Sequence, residues 1–270
     1  MPVNSISFNQ YLGGVLGVFL AFSPAFAQLP ALSSDELSWL GTQIYKNECN
    51  SSYQCLTSWN QGEDFPSLGI GHFIWYQQHQ QEIFEETFPS LINHMQLRGA
   101  NLPNWLAQLE PKTSPWPDRE TFLADLDGPR LTELRAFLIA HQDLQAEFIA
   151  SRLFRLLPTM LANTQAADQE KLRANFHDLA ASWAPYGLYA LIDYVHFKGT
   201  GIKASERYNN QGWGLSQVLL TMESGSGIEG FVVAADTILS RRVDNAPTAR
   251  NEQRWLAGWK NRLQTYLPPA

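Results

Sequence analysis

Between Ile44 and Tyr76 the chain reads IYKNECNSSYQCLTSWNQGEDFPSLGIGHFIWY, and this stretch limits the possible folds more than any other. An amphipathic helix runs into it. Ser33-Ser34-Asp35-Glu36 is a capping box, in which a hydroxyl and a carboxylate satisfy backbone N–H groups that a helix start leaves unpaired. Leu37, Leu40 and Ile44 follow at the spacing of one helix face, which predicts a helix over Asp35–Glu48. Glu48 lies four residues beyond Ile44, on that apolar face and at the helix end. Partial burial and the negative end of the helix dipole both disfavour its anion. A carboxylic acid that keeps its proton near neutral pH suits general acid catalysis.

After Glu48, Leu56–Trp59 and Ser67–Tyr76 read as two strands around a turn at Asn60-Gln61-Gly62. Gly69 and Gly71 fall on one face of the second strand, where paired glycines mark a close approach of ligand or backbone. His72 alternates with Gly71 and faces the other way. Cys49 and Cys55 are the only two cysteines. In an exported chain they are expected to form a disulfide that fixes the helix end against the first strand. No further Cys or His sits at ligand spacing beside them, so no metal is expected there.

The remainder reads as helical. Phe84–Leu97, Arg119–Leu126, Leu131–His141 and Leu144–Leu161 show helical spacing, and four prolines between Asn101 and Asp118 mark a connector. Gly187–Phe197 is apolar nearly all round and predicts a central buried helix. Trp213–Met222, Ile228–Val243 and Thr248–Tyr266 complete the helices. The fold class expected is α+β, predominantly α-helical. At the N-terminus, an apolar run from Tyr11 to Phe22 and Ala25-Phe26-Ala27 predict an export signal over residues 1–27. Localisation is therefore expected to be periplasmic or secreted. No other run is long enough to span a bilayer, so no stable membrane insertion is expected. The net charge is −7 without a basic cluster, which argues against nucleic acid as a partner.

These residues resemble the lysozyme-like superfamily, phage-type lysozymes in particular. In those enzymes a catalytic Glu ends the first long helix, and the following hairpin carries T-x-G-I-G-H. Here Ser67-Leu68-Gly69-Ile70-Gly71-His72 stands in that place, with Ser for Thr, and Glu48 takes the place of the acid. The resemblance covers residues 33–76, the expected catalytic helix and hairpin. It implies a single catalytic domain over residues 28–270, with a helical insert at 77–185 and a C-terminal helical core at 186–270. Arg250-Asn251-Glu252, Trp255 and the run Gly258–Arg262 are similar to the final helix of such lysozymes.

The resemblance implies inverting hydrolysis of a β-1,4 bond in an aminosugar polymer, without a cofactor. Glu48 protonates the leaving oxygen. Glu63 or Asp64 activates a water, and the Ser67 hydroxyl anchors it. Trp59, Trp75, Tyr76 and Trp213 are candidates for stacking on sugar rings, or else core residues. His72 is structural in the family, and Asp193 on the central helix is its expected acid partner, with His196 one turn away as an alternative partner for Asp193. Peptidoglycan is the leading substrate, given export. The acidic composition favours a polycation such as chitosan. A lytic transglycosylase needs only the acid. A non-catalytic wall-binding module is the alternative from another class. Gly214-Leu215-Ser216-Gln217 resembles the G-L-M-Q of goose-type lysozymes, but Glu206 precedes it too closely for that architecture.

Overall fold

The computed structural model describes residues 31–80 and 82–269, and the expected export signal lies outside them. Helix α1 spans Ser34–Cys49, and its capping box forms as the sequence implies: the Ser33 N–H donates to Glu36 Oε2 at 2.7 Å, and the Glu36 N–H donates to Ser33 Oγ at 3.3 Å. A short 3-10 turn leads into β1 (Thr57–Ser58), β2 (Ser67–Leu68) and β3 (Phe73–Ile74), one antiparallel sheet in the order β1-β2-β3. Thr57 pairs with Leu68, and Leu68 with Phe73.

Helices then dominate: α2 (Phe88–Leu97), α3 (Asn104–Ala107), α4 (Arg119–Ala124), α5 (Pro129–Ala140), α6 (Gln142–Ala162), α7 (Gln169–Ala181) and α8 (Tyr186–Lys198). A second antiparallel pair, β4 (Arg207–Tyr208) with β5 (Gln211–Gly212), precedes α9 (Leu215–Thr221), α10 (Gly227–Asn245) and α11 (Gln253–Gln264). The class is α+β and mostly helical. No described helix is long and apolar enough to cross a membrane.

The core follows the apolar patterning. Helix α1 packs on α6, with Gly41 close against Gln142, and Leu40 and Ile44 of α1 are buried, as are Ala146 and Ala150 of α6. Helix α8 is buried on all sides from Gly187 to Tyr194, as an all-round apolar sequence requires. It packs on α1, α6, α7, α9 and α10, so it is the axis of the molecule.

Several expectations need correction. The strand over Ser67–Tyr76 is two short strands joined by a turn at Gly69–His72. Gly69 (φ 70°) and His72 (φ 49°) are left-handed there, which an extended strand excludes. The last helix starts at Gln253 rather than Thr248, because Asn251 at φ 46° interrupts it. Helix α7 was not anticipated, although Leu172, Phe176 and Leu179 carry its buried stripe. The β4–β5 pair was not anticipated either.

Candidate active site

The end of α1 is pinned from two sides. Cys49 and Cys55 form a disulfide, as expected, with Cα atoms 5.4 Å apart. Next to it, His72 Nε2 lies 3.3 Å from the Glu48 carbonyl oxygen. The expected pairing of His72 with Asp193 does not form; the turn carries His72 to the backbone of α1 instead. A ring nitrogen of His72 also lies within 4.8 Å of both sulfurs, so a His does stand beside the cysteines, but the disulfide occupies both thiols.

Glu48 itself is half-buried, and its carboxylate faces a guanidinium and an imidazole that periodicity alone did not bring to it. Arg262 Nη2 of α11 stands 3.6 Å from Oε1, and His196 Nδ1 of α8 stands 3.9 Å away. Arg262 is held in place by Asp193, which is 3 % exposed. Its Nε donates to Asp193 Oδ2 at 2.8 Å and its Nη2 to Oδ1 at 2.7 Å, a planar two-point fit. Tyr266 Oη donates to the same carboxylate at 2.6 Å, and Asn47 Nδ2 at 2.8 Å. Burial pulls the Arg262 guanidinium down, but the hydrogen bonds and charge of Asp193 outweigh it and hold the group above its ordinary range. Burial pushes the His196 imidazole down against the opposing pull of Glu48 and Asp193, so the ring is mainly neutral at pH 7. Asp193 was expected to pair with His72; its partner is Arg262.

Two cavities flank the Gly69–His72 turn. One, of about 390 Å³, lies between the turn, α6 and α8. Gly71, Phe73, Ile149 and His196 line it, with Arg155 and the Arg152–Glu85 ion pair (2.7 Å) also on its wall. The other, of about 350 Å³, contains Glu63, Ser67 and His72 with Asn60 and Phe84. Glu48 lines neither, but it touches both walls: its carbonyl meets His72 and its carboxylate faces His196. Glu63 is half-buried, and Asn60 Nδ2 donates to its Oε2 at 3.0 Å. Trp59 Nε1 donates to the Glu63 carbonyl at 2.7 Å and so shapes the loop that carries it. Asp64 is exposed and lies outside both cavities' linings.

The aromatic candidates are core residues. Trp59, Trp75, Tyr76 and Trp213 are all buried, Trp75 at 1 % exposure, so none offers a ring face to a sugar. Their polar atoms turn inward: Trp75 Nε1 donates to Lys112 O, and Tyr76 Oη donates to Phe84 O. The two glycines make room for the chain itself. A Cβ at Gly69 would come within 2.3 Å of Gln145 Oε1, the atom that accepts the Ile70 N–H at 3.0 Å, and one at Gly71 would meet Phe73 at 2.7 Å. Gly71 nonetheless lines the larger cavity. Glu206 is tied up by backbone, accepting from the Gly201 N–H at 2.6 Å. Arg152, Arg155, Arg262 and Asn47 were missed as site residues; the only sequence signal was the basic run in the last helix. Neither the family models nor the curated proteins nor the solved structures contain a match to this chain.

Proposed function

We propose that the protein is a glycoside hydrolase of lysozyme-like fold that cleaves a β-1,4 bond in an aminosugar polymer, with Glu48 as general acid. The observation that carries this reading is the position of Glu48: a half-buried carboxyl at a helix end, on a residue whose backbone carbonyl meets His72 of the turn between the two cavities. Glu48 gives its proton to the leaving oxygen. Arg262, oriented by Asp193, then stabilises the carboxylate that remains. On the other side of the turn, Glu63 takes a proton from a water that the Ser67 hydroxyl anchors. Glu63 is preferred over Asp64 because it shares a cavity with Ser67. This chemistry inverts the anomeric centre and calls for carboxyl groups about 6.5–9.5 Å apart.

Local charge supports an acidic polymer, peptidoglycan, over chitosan. The chain is acidic as a whole, but Arg155 lines the larger cavity with no carboxylate paired to it among the described residues, whereas Arg152 is paired there with Glu85 at 2.7 Å and Arg262 beside Glu48 is paired with Asp193. A polycation would meet Arg155 unfavourably. The test is release of reducing ends from purified peptidoglycan and from chitosan. The expected result is turnover of peptidoglycan, with kcat/KM lowered on the order of tenfold in the double variant Arg152→Gln/Arg155→Gln. Preferred cleavage of chitosan would reverse the substrate assignment. Anhydro products in place of reducing ends would make the enzyme a lytic transglycosylase.

A second reading, a wall-binding module without catalysis, draws on the pairing of Glu48 with Arg262 and on the absence of Glu48 from both cavity linings. It requires binding to peptidoglycan with no product from it.

A further inference from the structure

Three metal-ligating side chains converge where α1 ends. Cys49 Sγ, Cys55 Sγ and a ring nitrogen of His72 all lie within 4.8 Å of one another. A zinc ion bonds thiolate sulfur at about 2.3 Å and imidazole nitrogen at about 2.0–2.1 Å, which sets tetrahedral ligand atoms about 3.5–3.8 Å apart. The separation that must grow to reach this geometry is the one between the two sulfurs, now joined as a disulfide. Ligand spacing along the chain hides the set, because His72 is remote from the cysteines and reaches them only through the left-handed turn.

Backbone hydrogen bonds hold the three positions independently of the S–S bond. The Cys49 carbonyl accepts the Ser52 N–H at 2.8 Å, and the Ser52 carbonyl accepts the Cys55 N–H at 3.2 Å. The next residue, Leu56, is fully buried, and its carbonyl accepts the Gly69 N–H at 2.8 Å. The Gly69 carbonyl accepts the His72 N–H at 3.3 Å, so the loop after α1 and the turn are one framework. The His72 ring is oriented in turn by the Glu48 carbonyl, 3.3 Å from Nε2. Opening the disulfide therefore leaves both sulfurs beside the imidazole. Cys49 is 4 % exposed and Cys55 more so, which makes Cys55 the sulfur that an external thiolate reaches.

We propose that the end of α1 is a redox-gated zinc site, in which Cys49, Cys55 and His72 bind one Zn²⁺ once the disulfide is reduced, with water as the fourth ligand. A dithiol reductant supplies two electrons and two protons; the S–S bond breaks, two thiols form, and the reductant leaves as its own disulfide. Zn²⁺ then displaces both thiol protons to solvent and takes the imidazole lone pair, which forms two S–Zn bonds and one N–Zn bond. The metal ties the helix end that carries Glu48 to the Gly69–His72 turn, so that contact survives in either redox state.

The test is titration of the whole chain with Co²⁺, a coloured stand-in for Zn²⁺, after reduction by a phosphine, which adds no competing thiol. The reduced chain is expected to bind one equivalent, with thiolate-to-cobalt charge-transfer absorption and the ligand-field bands of a tetrahedral ion, and one equivalent of Zn²⁺ should bleach both. The oxidised chain should give neither. Cys55→Ser should abolish the charge-transfer band of a two-thiolate site. His72→Asn keeps a residue that tolerates the left-handed turn, and should lower Zn²⁺ affinity at least about tenfold, since a lost ligand costs no less than a lost outer-shell partner. None of these readouts depends on glycan cleavage. Absence of both bands from the reduced chain would overturn the proposal, as would equal Zn²⁺ affinity in His72→Asn, which would leave two thiols acting without the turn. So would a loss of helical circular dichroism on reduction that Zn²⁺ does not restore.

Discussion

At the scale of single residues, the arrangement around Glu48 depends on Asp193. This carboxylate accepts from Arg262, Tyr266 and Asn47, and removing it leaves a guanidinium without its main partner. Asp193→Ala is expected to cost about 3 kcal/mol, the lower end for a broken buried pair, because Arg262 keeps some solvent contact. Urea unfolding measures this. The position of Glu48 at the end of α1 was legible in the sequence because helix periodicity locates it, whereas Glu63 and Asp64 lie in the loop between β1 and β2, where no periodicity chooses between them. The aromatic residues were not legible either. Trp59, Trp75, Tyr76 and Trp213 have the composition of a sugar platform, but burial depends on neighbours that arrive from α2, α4 and α10. Arg262 was hidden for the same reason, since it acts across more than two hundred residues of chain.

At the scale of elements, the docking of α11 turns on Glu252, which precedes it. Glu252 is 2 % exposed and accepts from Arg242 of α10, from Arg250 and from Tyr208 of β4. Burial alone would raise its pKa, but the hydrogen bonds and the charge of Arg242 outweigh it and bring it to about 2. The unfolded carboxyl titrates near 4.5, so the unfolded chain binds the extra proton between the two values. The stability from this cluster is full above pH 4.5 and is lost as the pH falls towards 2. Glu252→Gln should remove that dependence and cost about 3–5 kcal/mol at neutral pH, read by thermal unfolding across the range. Helix positions were largely legible, since buried stripes at helical spacing recur along the chain. The short strands were not: each has two residues, too few for alternation to register, and the left-handed turn at Gly69–His72 hides inside an apolar run.

At the scale of the whole molecule, α8, α10 and α11 meet at Lys198. Its Nζ sits 3.3 Å from the ring centre of Trp259 and 3.9 Å from that of Phe197, with Arg242 4.0 Å over Trp213 close by. Burial, followed by the charge of Arg242, brings the Lys198 pKa down to about 6. The unfolded chain holds this proton up to about 10.5, so stability rises with pH between 6 and 10.5. The rings offset part of the penalty. Lys198→Met should raise stability at pH 7 and flatten that rise, measured by urea unfolding at several pH values. The mostly helical class was legible from periodicity. The convergence of three distant helices on one amine was not, because it exists only once α8 is buried. The central claim concerns Glu48, and the most direct test is mass spectrometry of the products from purified peptidoglycan sacculi, with wild type beside Glu48→Gln. The account predicts reducing muropeptides from the wild type and at least about a hundredfold fewer from the variant, as for loss of a general acid. Equal product from both would contradict it, as would no product from either while the wild type still binds the sacculi.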